Sequence, residues 1–266
     1  MTALLAVEGL RKTFGGLIAV DDVSFNVFPG EAFALIGPNG AGKSTVLNLL
    51  SGLMRPTRGQ VRVEGESISG WPAHLIRAAG VGRTFQNGRL FSRLSVFENV
   101  LVGAETSAGG TIFDILLRRS AYSKIEKALH VRAAAALERV GLSDIAQQET
   151  GSLPYGVQRK LEIARALAAE TKILLLDEPA AGLNQTETES LLEVLSNLKS
   201  DGIAVVLIEH DMGLVMRWSD RIAVLNFGAK IAEGSAATIR NDPSVIEAYL
   251  GNSAAALNPV VGPGNA

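Results

Sequence analysis

The chain has 266 residues, of which 47% are hydrophobic and 20% are charged, and its formal net charge is −2 at pH 7. This length and composition are typical of a globular protein and exclude a disordered chain. The near-neutral charge provides no basic field that would attract nucleic acid, so we expect no nucleic-acid partner. Because cysteine is absent, disulfides, a thiolate nucleophile and a cysteine-ligated metal site are excluded.

The apolar segments of the sequence are short. None approaches the roughly 18 consecutive apolar residues that a helix needs to span a bilayer. Residues Met1–Gly9 include Glu8 and lack the basic start and long apolar stretch of a signal peptide. We therefore expect a protein that stays in the compartment where it is made.

The first part of the chain alternates predicted strands with tight turns. Apolar–polar alternation and short apolar runs predict the strands, and a helix follows a glycine-rich loop. The predicted strands are 4–8, 23–28, Ala32–Ile36 and Gln60–Glu64, and the predicted helix is Ser44–Ser51. This order indicates a strand–loop–helix unit accompanied by antiparallel strands.

From about Ser95 to Leu142 the apolar residues follow helical spacing. One apolar stripe predicts an amphipathic helix that ends at Gly141. Its members are Ile125, Leu129, Ala133, Ala136, Leu137 and Val140. We expect a helical subdomain at approximately 88–168, and the alternative is that these helices simply flank the main sheet.

Strand patterns return in the last third of the chain. Two runs are continuously apolar, which is typical of parallel strands covered on both faces in an α/β fold. The predicted strands are Ile173–Leu176, Ala204–Ile208, Arg221–Leu225 and Lys230–Glu233, and the predicted helices are Thr186–Lys199 and Val245–Leu250. The segment 252–266 consists of small residues with Pro and Gly, has no periodicity, and is predicted to be a disordered tail.

A complete phosphate-binding motif follows the third predicted strand. It matches G-x-x-x-x-G-K-[ST] between a strand and a helix, so its backbone N–H groups and the helix N-terminus would bind phosphate oxygens. Its residues are Gly37, Pro38, Asn39, Gly40, Ala41, Gly42, Lys43, Ser44 and Thr45. Lys43 would neutralise the β- and γ-phosphates, and the Ser44 hydroxyl would bind Mg²⁺.

Two adjacent carboxylates end the apolar strand Ile173–Leu176. In a parallel α/β sheet, the carboxyl ends of strands lie at the same edge as the phosphate loop. Asp177 is therefore a candidate for the Mg²⁺ shell. Glu178 is a candidate for orienting the attacking water or accepting its proton.

The phosphate-binding motif and the two carboxylates after the apolar strand together resemble the ATP-binding subunits of ABC transporters. The resemblance covers residues 4–250. It implies the α/β fold of that family, a P-loop NTPase core with an antiparallel β subdomain and an inserted α-helical subdomain. It also implies ATP and Mg²⁺ as cofactors and transport-coupled ATP hydrolysis as the activity.

The resemblance assigns roles to three further residues by their place in the motif order. Phe14 matches the aromatic residue that stacks on adenine. Gln86 matches the glutamine that contacts Mg²⁺ or the attacking water, and His210 matches the switch histidine that contacts the γ-phosphate.

The signature segment departs from the family pattern Leu-Ser-Gly-Gly-Gln. Gly156 is retained, but Pro154 replaces the serine and Tyr155 stands where the family usually has glycine. Contacts to the partner's nucleotide would then come from the Gly156 backbone and the start of the following helix. The loop after Pro179 also departs, because Asn184 stands where the family usually has Asp.

These departures are similar to the subgroup that serves branched-chain amino-acid importers. The similarity rests on three segments of the sequence. They are the Tyr155-Gly156 signature followed by residues 159–165, the segment 178–184 and the segment 248–251. It implies ATP-driven uptake of branched-chain or other hydrophobic amino acids.

The resemblance also implies a transport assembly. A second ABC ATPase subunit would pair head to tail with this one, and ATP closure would act on two transmembrane permease subunits. The permease helices would dock near Gln86–Arg93, and an external solute-binding protein would deliver the substrate. The chain would therefore be a peripheral protein at the cytoplasmic face of the membrane.

Three other functions stay open from the sequence. A transporter for another substrate, such as an amide, urea or a lipid, is an alternative, because no residue of this subunit contacts the solute. A soluble non-transport ABC ATPase is disfavoured by the single phosphate loop, the lack of a long heptad run and the near-neutral charge. A module that binds ATP without hydrolysing it is disfavoured by the presence of Glu178, Gln86 and His210.

Overall fold

The computed structural model of the chain describes residues 2–84, 90–104 and 119–255, with side chains described only for 126–249 of the last segment. Within these ranges, ten strands form a four-stranded and a six-stranded sheet. The elements follow the order expected from the sequence, although several are longer than predicted.

The four-stranded sheet is antiparallel and has the order β2-β1-β4-β5. Its strands are β1 Leu5–Phe14, β2 Leu17–Val27, β4 Arg58–Val63 and β5 Glu66–Ser67. The predicted strands 4–8 and 23–28 covered only the parts of β1 and β2 that alternate between core and solvent. The remaining parts are more exposed, and they pair because Gly15-Gly16 connects the two strands in a tight hairpin.

The six-stranded sheet has the order β10-β9-β3-β8-β7-β6, and all its neighbours are parallel except β9 and β10. Its strands are β3 Ala32–Ile36, β6 Val81–Arg83, β7 Ile173–Asp177, β8 Ala204–Ile208, β9 Arg221–Asn226 and β10 Ala229–Gly234. Every residue of β3, β7 and β8 is buried, because one face of the sheet packs against the antiparallel sheet and the helix that follows β3, and the other face packs against further helices.

Helices pack against this sheet and against one another, and several of them lie between β6 and β7 in the sequence. The described helices are α1 Lys43–Leu50, α2 Ala73–Ala78, α3 Val96–Ala104, α4 Arg119–Arg139, α5 Tyr155–Leu167, α6 Gln185–Ser200, α7 Met212–Trp218, α8 Ala236–Arg240 and α9 Pro243–Ala255. Short 3-10 turns at Ser143–Ile145 and Thr150–Ser152 connect α4 to α5.

The amphipathic stripe predicted for the middle of the chain lies on and just after helix α4. Four of its members are buried and a fifth packs against them, whereas the Ile125 side chain lies outside the described residues. The buried members are Ala133, Ala136, Leu137 and Val140, and Leu129 is the partly buried one. They share one hydrophobic cluster with α3, α5 and one face of β7 and β8. Because this cluster includes residues of the main sheet, the helical subdomain proposed at 88–168 stays a prediction.

The last helix extends further than the sequence pattern predicted. Helix α9 runs from Pro243 to Ala255, so the first residues of the segment predicted to be disordered are helical. Alanine has the highest helix propensity, and the run at 254–256 lets the helix continue past Leu250. Residues 256–266 lie outside the described residues. Across the described part of the chain, no helix is both long and apolar enough to cross a membrane.

Candidate nucleotide site

The phosphate-binding loop connects the buried strand β3 to helix α1. Two of its glycines have left-handed backbone angles and approach neighbouring backbone closely. A Cβ on Gly37 (φ +146°) would lie 2.1 Å from the carbonyl oxygen of Leu225, and one on Gly42 (φ +100°) would lie 2.5 Å from that of Ala19. Only glycine fits at these positions, so the loop can point its N–H groups outward at the start of α1.

Lys43 begins helix α1 and is buried, with 6% of its surface exposed. Its ammonium donates to the carbonyl oxygens of Gly37 at 2.7 Å and Pro38 at 2.9 Å. Burial lowers the pKa of Lys43, while Glu178 and Asp177 oppose this shift. The ammonium therefore lies within the loop, where phosphate oxygens would be strong additional acceptors.

A cavity of about 370 Å³ opens beside this loop. The predicted residues that line it are Asn39, Gly40, Ala41, Gly42, Lys43, Ser44, Thr45, Glu178 and His210. Gly37 and Pro38 are buried beneath it. Five lining residues were not predicted from the sequence: Leu17, Ile18, Ala19, Phe227 and Gly228. They belong to the β1–β2 and β9–β10 hairpins, and only the folded structure brings these hairpins to the phosphate loop.

Asp177 ends strand β7 and is 5% exposed. Its Oδ2 faces Arg83 Nη2 at 3.4 Å, and Arg83 Nη1 also donates to Asn48 and Ser51 of the α1 region at 2.7 and 2.8 Å. Burial raises the pKa of Asp177, and the Arg83 charge opposes that shift. Among the described residues, nothing donates a hydrogen bond to the buried Oδ1 of Asp177. An orphaned carboxylate oxygen next to a phosphate loop fits the oxygen ligands that Mg²⁺ requires.

Glu178 and His210 meet because they follow neighbouring parallel strands. Glu178 comes directly after β7, His210 lies two residues after β8, and the atoms Oε1 and Nε2 are 2.6 Å apart. Glu178 has a φ of +50°, which is uncommon for a residue other than glycine, and its N–H donates to Ile208 at 2.9 Å. The local backbone thus directs the carboxylate into the cavity.

Phe14 does not line the cavity. It ends β1, is 45% exposed and pairs across the hairpin with Leu17, which does line it. The ammonium of Lys12 lies 5.1 Å from the centre of the Phe14 ring. Adenine stacking on Phe14 therefore stays a prediction, whereas Phe227, which is 82% exposed, is the aromatic side chain at the cavity itself.

The signature residues lie at the start of helix α5, and Gly156 is not among the described residues that line the cavity. Pro154 is the N-cap and provides no side-chain hydrogen bond to the helix. The Tyr155 hydroxyl accepts from Arg159 at 2.5 Å. Gly156 is partly buried, and its contact with a partner's nucleotide stays a prediction.

Asn184 begins helix α6 through a reciprocal capping box with Glu187, each accepting from the other's backbone N–H at 3.0 Å. An asparagine oxygen caps a helix as an aspartate does, so this departure preserves the loop's end.

Gln86 lies outside the described residues, as does half of the predicted permease groove at Gln86–Arg93. Its described part, 90–93, is largely exposed, and Phe91 is anchored by its N–H to Asn99 at 2.8 Å.

Comparison with known proteins agrees with this geometry. A sequence model for the family described as ABC transporter matches residues 20–181, and one described as branched-chain amino acid ATP-binding cassette transporter matches residues 229–255. The chain belongs to the ABC transporter family. The expected fold of this ABC transporter ATPase and its expected class of activity are thereby confirmed.

Three relatives illustrate the similarity of this ABC transporter ATPase. It is 46% identical to the high-affinity branched-chain amino acid transport ATP-binding protein BraF of Pseudomonas aeruginosa, over 94% of this chain and 98% of BraF. It is 45% identical to the corresponding protein LivG of Escherichia coli, with the same coverage. The solved ADP conformation of MJ1267, an ATP-binding cassette of an ABC transporter, is 32% identical, covers 94% of this chain and all of that one, and has a TM-score of 0.82.

Proposed function

We propose that this chain hydrolyses ATP to drive uptake of branched-chain or other hydrophobic amino acids through an ABC importer. The observation that carries the proposal is one cavity lined by residues 39–45 of the phosphate loop, Glu178 and His210. The substrate class is supported by BraF and LivG, which are named as branched-chain amino acid transport proteins and match the chain over nearly its whole length.

In this proposal the loop 37–45 binds the triphosphate. Its N–H groups and the N-terminus of α1 bind the phosphate oxygens, and Lys43 exchanges its contacts with the Gly37 and Pro38 carbonyls for the β- and γ-phosphates. Phe14 stacks on adenine, as the family resemblance implies. The base would leave the deep part of the cavity toward the hairpin that carries Leu17 and Ile18.

Ser44 and Asp177 would bind Mg²⁺, with Gln86 as a further ligand from the family resemblance. Ser44 is exposed at the start of α1, and the buried Oδ1 of Asp177 is the oxygen available to the ion. When bound, Mg²⁺ neutralises charge on the phosphate oxygens.

Glu178 is the proposed general base. The water oxygen bonds to the γ-phosphorus while the bond to the β–γ bridging oxygen breaks, and Glu178 accepts the water proton as ADP and phosphate form. A 2.6 Å contact between Glu178 and His210 requires one proton between the two atoms. The contact therefore orients the carboxylate and presents the imidazole to the γ-phosphate.

The proposed assembly contains a second ABC ATPase subunit, two transmembrane permease subunits and an external solute-binding protein. Gly156 would contact the nucleotide held by the second ATPase, which is consistent with its absence from the described lining of the cavity in its own chain. The permeases would dock at Gln86–Arg93, which places this subunit at the cytoplasmic face of the membrane.

Reconstitution tests the proposal directly. The chain, a cognate second ATPase and permeases are incorporated into vesicles with binding protein outside and ATP inside, and uptake of labelled leucine, isoleucine and valine is measured. The proposal predicts ATP-dependent uptake of at least one of them that is lost with Glu178→Gln. Uptake of an amide, urea or lipid instead, with none of the three amino acids, would overturn the substrate assignment.

A further inference from the structure

A buried carboxylate that has no role in the proposed hydrolysis links the segments that carry Glu178 and His210. Glu209 is 5% exposed and comes directly after β8. One of its oxygens accepts from the backbone N–H of Ala180 at 2.9 Å, and the other accepts from that of His210 at 3.1 Å. The backbone N–H of Asp211 also acts to lower the pKa of this carboxylate. Glu209 therefore joins two loops that are 29 residues apart in sequence.

These hydrogen bonds close a ring of contacts around the candidate catalytic pair. Glu178 is separated from Ala180 by Pro179 alone, and its Oε1 lies 2.6 Å from Nε2 of His210. The φ of +50° at Glu178 is a conformation that persists only where the surroundings fix it. The ring provides such surroundings, since it joins the loop that carries Glu178 to the loop that carries His210.

We propose that Glu209 is a positioning residue, whose carboxylate fixes the 180–184 loop against the His210 loop so that Glu178 and His210 meet. The proposal rests on the proposed function, in which that meeting supports ATP hydrolysis. It assigns Glu209 no contact with ATP, because the residue is not among those that line the cavity, whereas Glu178 and His210 are.

The chemistry of the side chain explains why a carboxylate is needed here. Both of its oxygens accept hydrogen bonds, so one group serves N–H donors from both loops. A glutamine would point its NH₂ group at one of these donors and leave a buried N–H without an acceptor. Burial raises the pKa of Glu209, whereas the three N–H donors favour its charged form.

Glu31 provides a matched control at the opposite end of the same sheet. It precedes β3, whereas the phosphate loop follows that strand. Its largely buried carboxylate also joins separate segments, because it accepts from the N–H of Phe28 at 2.7 Å and from Arg221 Nε at 2.8 Å. Glu31→Gln therefore removes a loop-bracing carboxylate of the same kind without touching the candidate site.

Amide hydrogen exchange on the purified chain without nucleotide tests the anchoring itself. In Glu209→Gln, amides of the 180–184 loop and of His210 should exchange at least about tenfold faster, because opening of these loops becomes easier. They should keep the wild-type rate in Glu31→Gln, and helix α1 should keep it in both variants. Unchanged exchange of both loops in Glu209→Gln would overturn the proposal, and this result does not depend on ATPase activity.

Hydrolysis by the complete transporter tests the positioning role. Glu209→Gln should lower kcat by about 10- to 100-fold while KM for ATP stays within about twofold, because only the reacting geometry changes. Glu31→Gln should keep kcat within about twofold of wild type, since it is remote from the site. In a His210→Ala background, Glu209→Gln should lower kcat by less than about twofold further, because both residues act through one contact.

The outcomes of the kinetic test separate the two proposals. Multiplicative losses in the double variant, or a kcat loss no larger than that of Glu31→Gln, would overturn the positioning role. If the wild-type transporter does not hydrolyse ATP, the proposed function is overturned, and the exchange result alone then decides whether Glu209 joins the two loops.

Discussion

Tyr155 packs against Gly182, so the signature segment and the loop after Glu178 touch within one subunit. A Cβ on Gly182 would lie 3.3 Å from Cε1 of the Tyr155 ring. The ring is also covered by the Arg159 guanidinium, 4.9 Å from its centre. Tyr155, which departs from the family signature, therefore packs beside a residue without a side chain, since its ring lies next to Gly182.

This packing predicts that Gly182→Ala destabilises the protein more than a comparable glycine change. Gly182 and Gly202 have φ values of +81° and +87°, but a Cβ on Gly202 would meet nothing within 4 Å. We expect Gly202→Ala to lower the free energy of unfolding by about 1 kcal/mol through backbone strain alone. Gly182→Ala should cost more by denaturant titration, and the excess should vanish in a Tyr155→Ala background. An equal cost for both glycine variants would contradict the contact.

The contacts of Lys43 predict a direct role in nucleotide affinity. Lys43→Ala should weaken ATP binding by at least about tenfold, because the cavity loses the ammonium that faces the phosphates. Isothermal titration with ATP measures this loss. Lys172→Ala is the control, because that lysine is exposed and pairs with Glu64 at 2.5 Å, outside the cavity. Wild-type ATP affinity in Lys43→Ala would refute its place in the phosphate site.

The aromatic residues near the cavity make separate predictions for base binding. If Phe14 stacks on adenine, Phe14→Ala should weaken ATP binding by about 1–3 kcal/mol and leave tripolyphosphate binding unchanged. Phe227 lines the cavity and is 82% exposed, so Phe227→Ala tests whether the base lies there instead. Competition titrations with both ligands distinguish the two positions. A loss confined to Phe227→Ala would remove Phe14 from the site.

Pro154 caps helix α5 without a side-chain hydrogen bond. Pro154→Ser restores the hydroxyl of the family pattern, and we expect stronger ATP-driven association with the second ATPase. Sizing runs with the hydrolysis-deficient variant and trapped ATP measure that association. Ser152→Ala is a suitable control, because its hydroxyl donates only to the nearby carbonyl of Glu149. An unchanged elution profile for Pro154→Ser would mean that the missing hydroxyl does not limit closure.

The sequence predicted those parts of the fold and site whose signals are local. The phosphate loop is a continuous motif, and β3 and β8 were predicted with their observed ends because central parallel strands are continuously apolar. Strand β6 was missed, since Val81–Arg83 contains a glycine and is fixed by pairing with β7. A strand of three residues is too short to show the apolar–polar alternation by which strands are predicted.

The residues that the sequence missed at the site depend on contacts between distant segments. Arg83 and Asp177 are 94 residues apart, and their pairing follows only from the adjacency of β6 and β7. Glu209 stands beside a histidine after a strand, which from sequence is indistinguishable from an exposed turn. Its burial and its N–H partners exist only once β7 and β8 are neighbours.

The most direct test compares ATP binding with ATP hydrolysis in Glu178→Gln. The variant should bind ATP with wild-type affinity, because the phosphate loop is intact, and should lose nearly all phosphate release in the assembled transporter, because the water loses its base. Glu189→Gln, on the exposed face of α6 and paired with Arg217, is the control and should hydrolyse ATP normally. Wild-type phosphate release by Glu178→Gln would contradict the account.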